Sequence, residues 1–177
     1  MLEQATAPLT DAAKQRIFAM LDRDGDGVVS RTEYLARVDR AAAAMGRGGD
    51  DPVVHTARAA HEHVFADMDA DHDGRVTFEE YRAWAGHESF ERSCRSALGS
   101  LFDVADHDGD GRLTREEFTR LRMASRNTET DAGQAFDDLD TDADGLVDRE
   151  DYLAGIHDYV TTGSSPMAAA YRTLPTP

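Results

Sequence analysis

The segment Asp22-Arg-Asp-Gly-Asp-Gly-Val-Val-Ser-Arg-Thr-Glu33 decides how this 177-residue chain folds, because its pattern recurs three more times. The other copies span residues 69–80, 106–117 and 140–151. Each copy has aspartate at positions 1, 3 and 5, glycine at position 6, an aliphatic residue at position 8 and a carboxylate at position 12. A single run of this kind also occurs in ordinary acidic turns. Four complete runs in fixed register indicate a repeated structural unit.

The spacing suits a hard divalent cation, which takes about six to eight oxygen ligands in a roughly pentagonal-bipyramidal shell. A short peptide surrounds such an ion only when alternate side chains point inward, as those at positions 1, 3 and 5 do. Position 7 adds a backbone carbonyl, position 9 often acts through water, and position 12 closes the shell with a carboxylate. Glycine at position 6 allows a sharp turn. The pattern is that of the EF-hand calcium loop, so we predict up to four Ca²⁺ sites.

The predicted metal ligands occupy the same positions in all four loops. In the first loop they are Asp22, Asp24, Asp26, Val28, Ser30 and Glu33, and in the second Asp69, Asp71, Asp73, Arg75, Thr77 and Glu80. In the third loop they are Asp106, Asp108, Asp110, Arg112, Thr114 and Glu117, and in the fourth Asp140, Asp142, Asp144, Leu146, Asp148 and Asp151.

The fourth loop departs from the pattern at its closing position. Asp151 is one methylene shorter than the glutamates that close the other loops, so its two oxygens reach the ion only if the loop contracts. Mg²⁺ prefers a smaller, six-coordinate shell. We therefore predict a weaker or more magnesium-tolerant fourth site, despite the additional acid at Asp148.

Apolar residues at helical spacing flank every loop, as an entering and an exiting helix require. Phenylalanine lies four residues before each loop, and an aromatic residue follows each closing carboxylate. We interpret these rings as core packing and not as a cofactor site. A single helix-loop-helix unit buries too little apolar surface to be stable, so the units should pair. The β-forming residues at position 8 predict short antiparallel ladders, with Val29 opposite Val76 and Leu113 opposite Val147.

These features predict an all-α fold of four EF-hands, arranged in two pairs that pack into one compact unit and contain two small β-ladders. Residues 1–86 should form the first pair, residues 87–160 the second pair and residues 161–177 a tail. The expected helices run from about 11 to 21 with Thr10 as a cap, through 34 to about 45, from 53 into the second loop, from 88 to 105, and from about 130 to 139, with a break at Gly86.

The tail has two interpretations. Residues 161–166 have the composition of a flexible linker, and residues 167–174 can form a short helix with Met167, Ala170, Tyr171 and Leu174 as its apolar positions. This helix is either a frayed terminus or a plug that docks in the apolar groove between hands.

Composition restricts the classes of partner and chemistry. The net charge of −16 argues against direct binding of nucleic acid or anionic membranes, and four Ca²⁺ ions would bring it to −8. Cys94 is the only cysteine, which excludes an internal disulfide, and we expect it to lie buried on a helix. The first ten residues do not form a signal-peptide pattern and no segment is a membrane span, so we expect a cytoplasmic monomer.

The histidines near the second loop are a weaker candidate for metal binding. His61 and His63 flank Glu62, with His55 upstream. Residues at i and i+2 do not share a helix face. We therefore interpret these histidines as exposed helix residues and not as a transition-metal site.

The chain resembles the sarcoplasmic calcium-binding protein family, and is most similar to its calerythrin-like bacterial members. The resemblance rests on the four loops, the 47-residue interval between the first two loop starts, the helix-break-helix segment Trp84-Ala-Gly-His-Glu-Ser-Phe90, and a tail after Tyr159. It implies a compact cytosolic protein that buffers calcium or modulates its signals. Many family members have lost one or more loops. This chain keeps four, which leaves open how many sites are strong.

We predict an intracellular calcium buffer and signal modulator. A calcium sensor that exposes an apolar groove to bind a target protein is the alternative, but such grooves are often methionine-rich, and the six methionines here do not cluster at the groove-lining ends of the exiting helices. A dockerin-like secreted module would need an export signal. We do not expect an enzyme, because no serine–histidine or cysteine–histidine motif is present.

Overall fold

Helices flank each of the four loops in the computed structural model, which describes residues 11–163 and 165–171. The first half of the chain contains α1 (Asp11–Leu21), β1 (Val28–Ser30), α2 (Arg31–Ala44), α3 (Pro52–Met68), β2 (Arg75–Thr77) and α4 (Phe78–Trp84). A connector follows, made of α5 (His87–Ser89) and a π-helical turn (Phe90–Cys94). The second half contains α6 (Arg95–Ala105), β3 (Arg112–Thr114), α7 (Arg115–Ala124), α8 (Glu129–Leu139), β4 (Leu146–Asp148), α9 (Arg149–Thr162) and a terminal 3₁₀ helix (Pro166–Tyr171).

The two loops of each half are joined by an antiparallel ladder. Val29 lies opposite Val76 in the first ladder, and Leu113 lies opposite Val147 in the second. All four side chains are almost completely buried and belong to the hydrophobic core cluster. The predicted pairing and its register are therefore confirmed.

Three of the four exiting helices begin with a capping box. The Ser30 hydroxyl accepts a hydrogen bond from the Glu33 N–H at 3.2 Å, while Glu33 Oε2 accepts one from the Ser30 N–H at 3.4 Å. Thr77 with Glu80, and Thr114 with Glu117, form the same reciprocal pair. A cap of this kind stabilises a helix by about 1 kcal/mol. Loop positions 9 and 12 thus start the helix that follows the loop.

The aromatic residues that frame the loops form the centre of the core. In the first half the Tyr34 and Phe65 ring centroids are 5.8 Å apart, and in the second half those of Phe102 and Tyr152 are 5.5 Å apart. These separations suit tilted or edge-to-face contacts between rings. One contiguous cluster of buried side chains extends through both halves. The predicted compact arrangement of two hand pairs is confirmed.

The two halves meet along helices as well as through a side chain that crosses between them. Helix α3 packs on α6, and α2 packs on α7. Arg47 lies in the turn between α2 and α3, and its Nε donates to the carbonyl of Val104 at 2.8 Å while Nη2 donates to that of Asp106 at 2.9 Å. Asp51 accepts from Nη1 at 3.0 Å and so fixes the guanidinium. None of the helices in residues 11–163 and 165–171 combines the length and apolarity that a membrane span needs.

The connector breaks at Gly86, as the sequence predicts, but the expected regular helix from residue 88 to residue 105 is interrupted by the π-helical turn. The wider turn shifts the buried face of the helix. Phe90, Leu101 and Phe102 are buried, whereas Cys94 is only half-buried and not fully covered as expected. Burial still raises the pKa of the Cys94 thiol to about 12, so the thiolate form is disfavoured.

The chain after residue 160 is more ordered than a flexible linker. Helix α9 continues through Thr161 and Thr162, whose hydroxyls bond back to the carbonyls of His157 and Asp158, and Gly163 ends the helix with a positive φ of 75°. The expected linker is therefore wrong for these residues. Met167 is fully buried. The predicted cap Thr10, the apolar position Leu174 and the side chains of Ala170 and Tyr171 lie outside the described residues.

His61 is fully buried, so the expectation that it is exposed on its helix is wrong. Its Nδ1–H donates to the carbonyl of Ala57 at 2.8 Å, and its ring lies 5.8 Å from that of Tyr34. His61 occupies a core position of α3, one turn from both Ala57 and Phe65. His55 and His63 are exposed as expected. Among the described residues, no converging group of potential metal ligands includes any of these three histidines.

We predict that His61 makes folding sensitive to mild acid. Burial, aided by the nearby charge of Arg37, lowers the pKa of His61 to about 3 from its ordinary value of 6.5. Below pH 6.5 the unfolded chain therefore binds a proton that the folded chain does not bind. The free energy of unfolding consequently decreases as the pH is lowered. Between pH 6 and pH 5 the free energy of unfolding should fall by about 1 kcal/mol through this group.

Denaturant titrations across this pH range test the prediction by comparing His61→Gln with the matched control His63→Gln. The first variant should lose the acid-dependent component, and the second should retain it. If the free energy of unfolding depended on pH equally in both variants, His61 would not be the source of the acid sensitivity.

Candidate calcium-binding site

All four loops adopt the same turn, which the backbone and the aspartates define together. The position 6 glycines Gly27, Gly74, Gly111 and Gly145 have φ between 81° and 91°, a conformation that L side chains rarely adopt. In each loop the carboxylate at position 5 accepts a hydrogen bond from the N–H at position 7, at distances between 2.8 and 3.0 Å. The predicted turn is thus present at each site.

The position 1 aspartates are the most enclosed of the predicted ligands. Asp22, Asp69 and Asp106 are buried, while Asp140 is half-buried. In each case one carboxylate oxygen accepts a hydrogen bond of 2.9 to 3.0 Å from the N–H of the position 6 glycine. The turn therefore aims the first carboxylate toward the inside of the loop.

Carboxylates converge inside every loop. Three oxygen atoms from three side chains lie within 4.8 Å of one another in each case. This donor set, made only of hard oxygen ligands, fits Ca²⁺ and excludes metals that require thiolate or imidazole. The converging sets are Asp22, Asp24 and Glu33; Asp69, Asp71 and Asp73; Asp106, Asp108 and Asp110; and Asp140, Asp142 and Asp144.

The closing glutamates fold back over their loops. Glu33 Oε1 accepts from the N–H of Asp24 at 3.1 Å, Glu117 Oε1 from that of His107 at 3.1 Å, and Glu80 Oε1 from that of Asp71 at 3.4 Å. The hydrogen bond from the Thr77 N–H is the largest contribution that lowers the pKa of Glu80. Each glutamate thus places its carboxylate beside the entering half of its loop.

The fourth loop lacks this closure. The Asp151 N–H donates to Asp148 Oδ1 at 2.9 Å, but within the described parts of the chain no backbone N–H donates to the Asp151 carboxylate. Burial, with the charges of Asp148 and Asp142, raises the pKa of Asp151. An open polar cavity lies between these residues and Asp144. The shorter side chain therefore does not form the closing hydrogen bond that the glutamates form in the other three loops.

Two loops contain backbone conformations that sequence analysis missed. His72 and Ala143, at position 4 of the second and fourth loops, have φ of 60° and 57°. Gly25 and Gly109 occupy the same position in the other loops without steric conflict. A left-handed non-glycine residue costs roughly 1–2 kcal/mol. Comparison of position 4 across the four copies is the signal that would have revealed this difference.

Sequence analysis also missed the role of Asp67, which lies just before the second loop. Asp67 accepts hydrogen bonds from the indole N–H of Trp84 at 2.8 Å, from Arg92 at 2.8 Å and from Ser93 at 3.2 Å. These bonds lower the pKa of Asp67 even though its partial burial acts in the opposite direction. Asp67 lies two residues before Asp69, so the second loop is tied to Trp84 and to the connector. The fluorescence of Trp84 should therefore report filling of that loop.

Comparison with known proteins agrees with this geometry. The family model described as "EF-hand domain pair" matches residues 11–86 and 95–156. No curated protein sequence matches the chain. A calcium-binding protein from Streptomyces coelicolor, described in terms of prokaryotic calcium-mediated regulation, superposes with a TM-score of 0.75 at 26% identity, covering 87% of this chain and 99% of that one.

Two further solved structures share the fold at lower identity. The Ca²⁺-regulated photoprotein mitrocomin from the jellyfish Mitrocoma cellularia is 18% identical, with a TM-score of 0.75 and coverage of 97% of this chain and 96% of that one. The Ca-loaded apo form of a coelenterazine-binding protein from Renilla muelleri is 21% identical, with a TM-score of 0.66 and coverage of 93% and 95%. At this identity the likeness shows the fold alone.

We predict that the length of the closing side chain sets the calcium preference of each loop. Asp151→Glu should raise the Ca²⁺ affinity of the fourth loop roughly tenfold, because both oxygens then reach the ion without contraction of the loop. The reciprocal change Glu117→Asp should weaken the third loop and favour Mg²⁺. Calorimetric titration with Ca²⁺, with and without Mg²⁺, measures both effects. Unchanged Ca²⁺ affinity in both variants would contradict the prediction.

Proposed function

Because the chain belongs to the EF-hand domain pair family, we propose that this calcium-binding protein acts as an intracellular calcium buffer that also modulates calcium signals. We further propose that the six predicted residues of each loop are its ligands. Residues 1–86 and 87–160 would act as two hand pairs, with residues 161–177 as a tail. When bound, Ca²⁺ neutralises the carboxylates that converge in each loop and would otherwise repel one another.

The observation that carries this proposal is the closed form of the first three loops. Three carboxylates converge in each, and each closing glutamate accepts a hydrogen bond from an N–H near the start of its loop. A site with its ligands near their final positions needs little rearrangement to bind, which favours high affinity over a large conformational response. The calcium-mediated regulation described for the Streptomyces coelicolor protein supports the modulating role.

The surface also favours a buffer. Within the described residues, Met123 is the one large hydrophobic side chain that is exposed. A sensor presents an apolar groove to its target when calcium binds. Here the aromatic rings and the position 8 residues of both halves lie inside the core.

Calcium titration at physiological Mg²⁺ concentration tests the proposal. We expect dissociation constants nearer the ~10 nM of buffers than the ~1 µM of sensors for the first three loops, and little change in the fluorescence of an apolar dye. Glu80→Gln should remove one site, whereas the adjacent exposed control Glu79→Gln should keep it. Micromolar binding together with a severalfold rise in dye fluorescence would reject the buffer.

One observation favours the sensor as a second candidate function. The tail residue Met167 is fully buried against Gly155 of α9 and Leu139 of α8. A Cβ at Gly155 would lie 2.7 Å from Met167 Cγ, so glycine is needed for this contact. Ser165 Oγ donates to the Gly155 carbonyl at 2.8 Å and fixes the tail there. In a sensor, this tail would act as the plug that a target displaces.

The variant Met167→Asp separates the two roles of the tail. If the tail is a displaceable plug, this change should raise dye binding without calcium to the level of the calcium-loaded protein, while the exposed control Met123→Asp has no such effect. A lower melting temperature with no additional calcium-dependent dye binding would instead identify the tail as a structural element of the buffer.

A further inference from the structure

Two histidines and a glutamate come together outside the four loops, where the connector meets the last long helix. The His87 Nδ1 and His157 Nε2 atoms are 2.9 Å apart, and His157 Nε2 lies 3.9 Å from Glu91 Oε1. One ligand atom from each of the three residues lies within 4.8 Å of the other two. None of these residues belongs to a calcium loop.

The packing of the connector on α9 brings these three side chains together. His87 begins α5, and Glu91 lies four residues later in the π-helical turn, so both side chains project from the same side of the connector. His157 comes from α9, which packs on α5. The buried ring of Phe90 contacts the His157 ring edge-to-face, with centroids 5.0 Å apart, and limits its rotation. The Phe90 contact therefore holds His157 in place beside His87 and Glu91.

The surrounding charges suit metal binding. Asp158 Oδ1 lies 3.4 Å from His157 Nδ1 and can accept a hydrogen bond from its N–H, which leaves Nε2 as the unprotonated nitrogen that faces His87. A carboxylate on the far nitrogen is a common support for metal-bound histidine. Glu91 also lies 3.7 Å from Arg95, but Arg95 binds Glu150 at 3.0 Å and keeps that partner if Glu91 turns toward an ion.

We propose that His87, Glu91 and His157 bind one Zn²⁺ ion, with water completing the coordination. Two imidazoles and a carboxylate suit zinc, whereas calcium takes oxygen ligands. Two nitrogens on a tetrahedral zinc are roughly 3.3 Å apart, so the imidazoles need to separate only slightly from their present contact. His87 and Glu91 are exposed and His157 is half-buried, so an ion can enter from solvent.

A zinc ion at this position would cross-link the connector to α9. The connector follows the first hand pair, and α9 is the exiting helix of the fourth loop. Zinc would thus hold the connector against the last long helix of the second half, independently of whether the calcium loops act in a buffer or a sensor.

Zinc titration of the calcium-saturated full chain tests this site, because the loops are then filled. Calorimetry should show one Zn²⁺ per chain with a dissociation constant in the micromolar range. His87→Asn and His157→Asn should each weaken binding at least tenfold, and Glu91→Gln less. The controls are His63→Asn, an exposed histidine elsewhere, and Cys94→Ser, which removes the thiol; neither should alter binding. Unchanged calcium titration and circular dichroism establish that each variant is folded.

Spectroscopy gives a second readout. Co²⁺ in place of zinc should produce visible absorption bands of a tetrahedral nitrogen–oxygen site, and these should disappear in His157→Asn. The proposal is overturned if excess Ca²⁺ displaces the ion, if one-to-one binding survives both histidine substitutions, or if no binding is detected at about 100 µM Zn²⁺, some hundredfold above the expected constant.

Discussion

The structure depends on the closing glutamate of the first three loops, which makes two kinds of hydrogen bond. In the first three loops the position 12 glutamate is also the third residue of the exiting helix, where it accepts from the N–H of the cap. Its other oxygen accepts from an N–H near the start of the loop. The glutamate therefore joins both ends of the ion-binding segment and starts the next helix. Helix formation and loop closure are consequently parts of one local event.

The fourth loop shows what happens when this constraint is relaxed. Asp148 still caps α9, but the shorter Asp151 does not complete the reciprocal bond. The helix keeps its start while the ion-binding end of the loop stays open. Loss of one methylene thus separates helix capping from loop closure, which the longer side chain combines.

Sequence analysis predicted the repeating parts of this molecule well. The loops, the ladder register at Val29 and Val76, and the aromatic core follow from local spacing, which four copies repeat. It failed where contacts bring distant residues together. His61 is buried because α2 and the connector cover α3, and His87 meets His157 only through the packing of α5 on α9. A periodic pattern shows which face of a helix is apolar, but not which remote segment will cover it.

The Arg47 guanidinium connects the first half of the chain to the second by hydrogen bonds. It binds the carbonyls of Val104 and Asp106 at the C-terminal end of α6, where the helix dipole favours positive charge and the third calcium loop begins. Any displacement of that helix end on calcium binding must either carry the turn between α2 and α3 with it or break these bonds. If the helix end moves when Ca²⁺ binds, the energy of these two hydrogen bonds would couple the ion affinities of the two hand pairs. Because such linkage is reciprocal, the first pair then influences the third loop as strongly as the third loop influences the first pair.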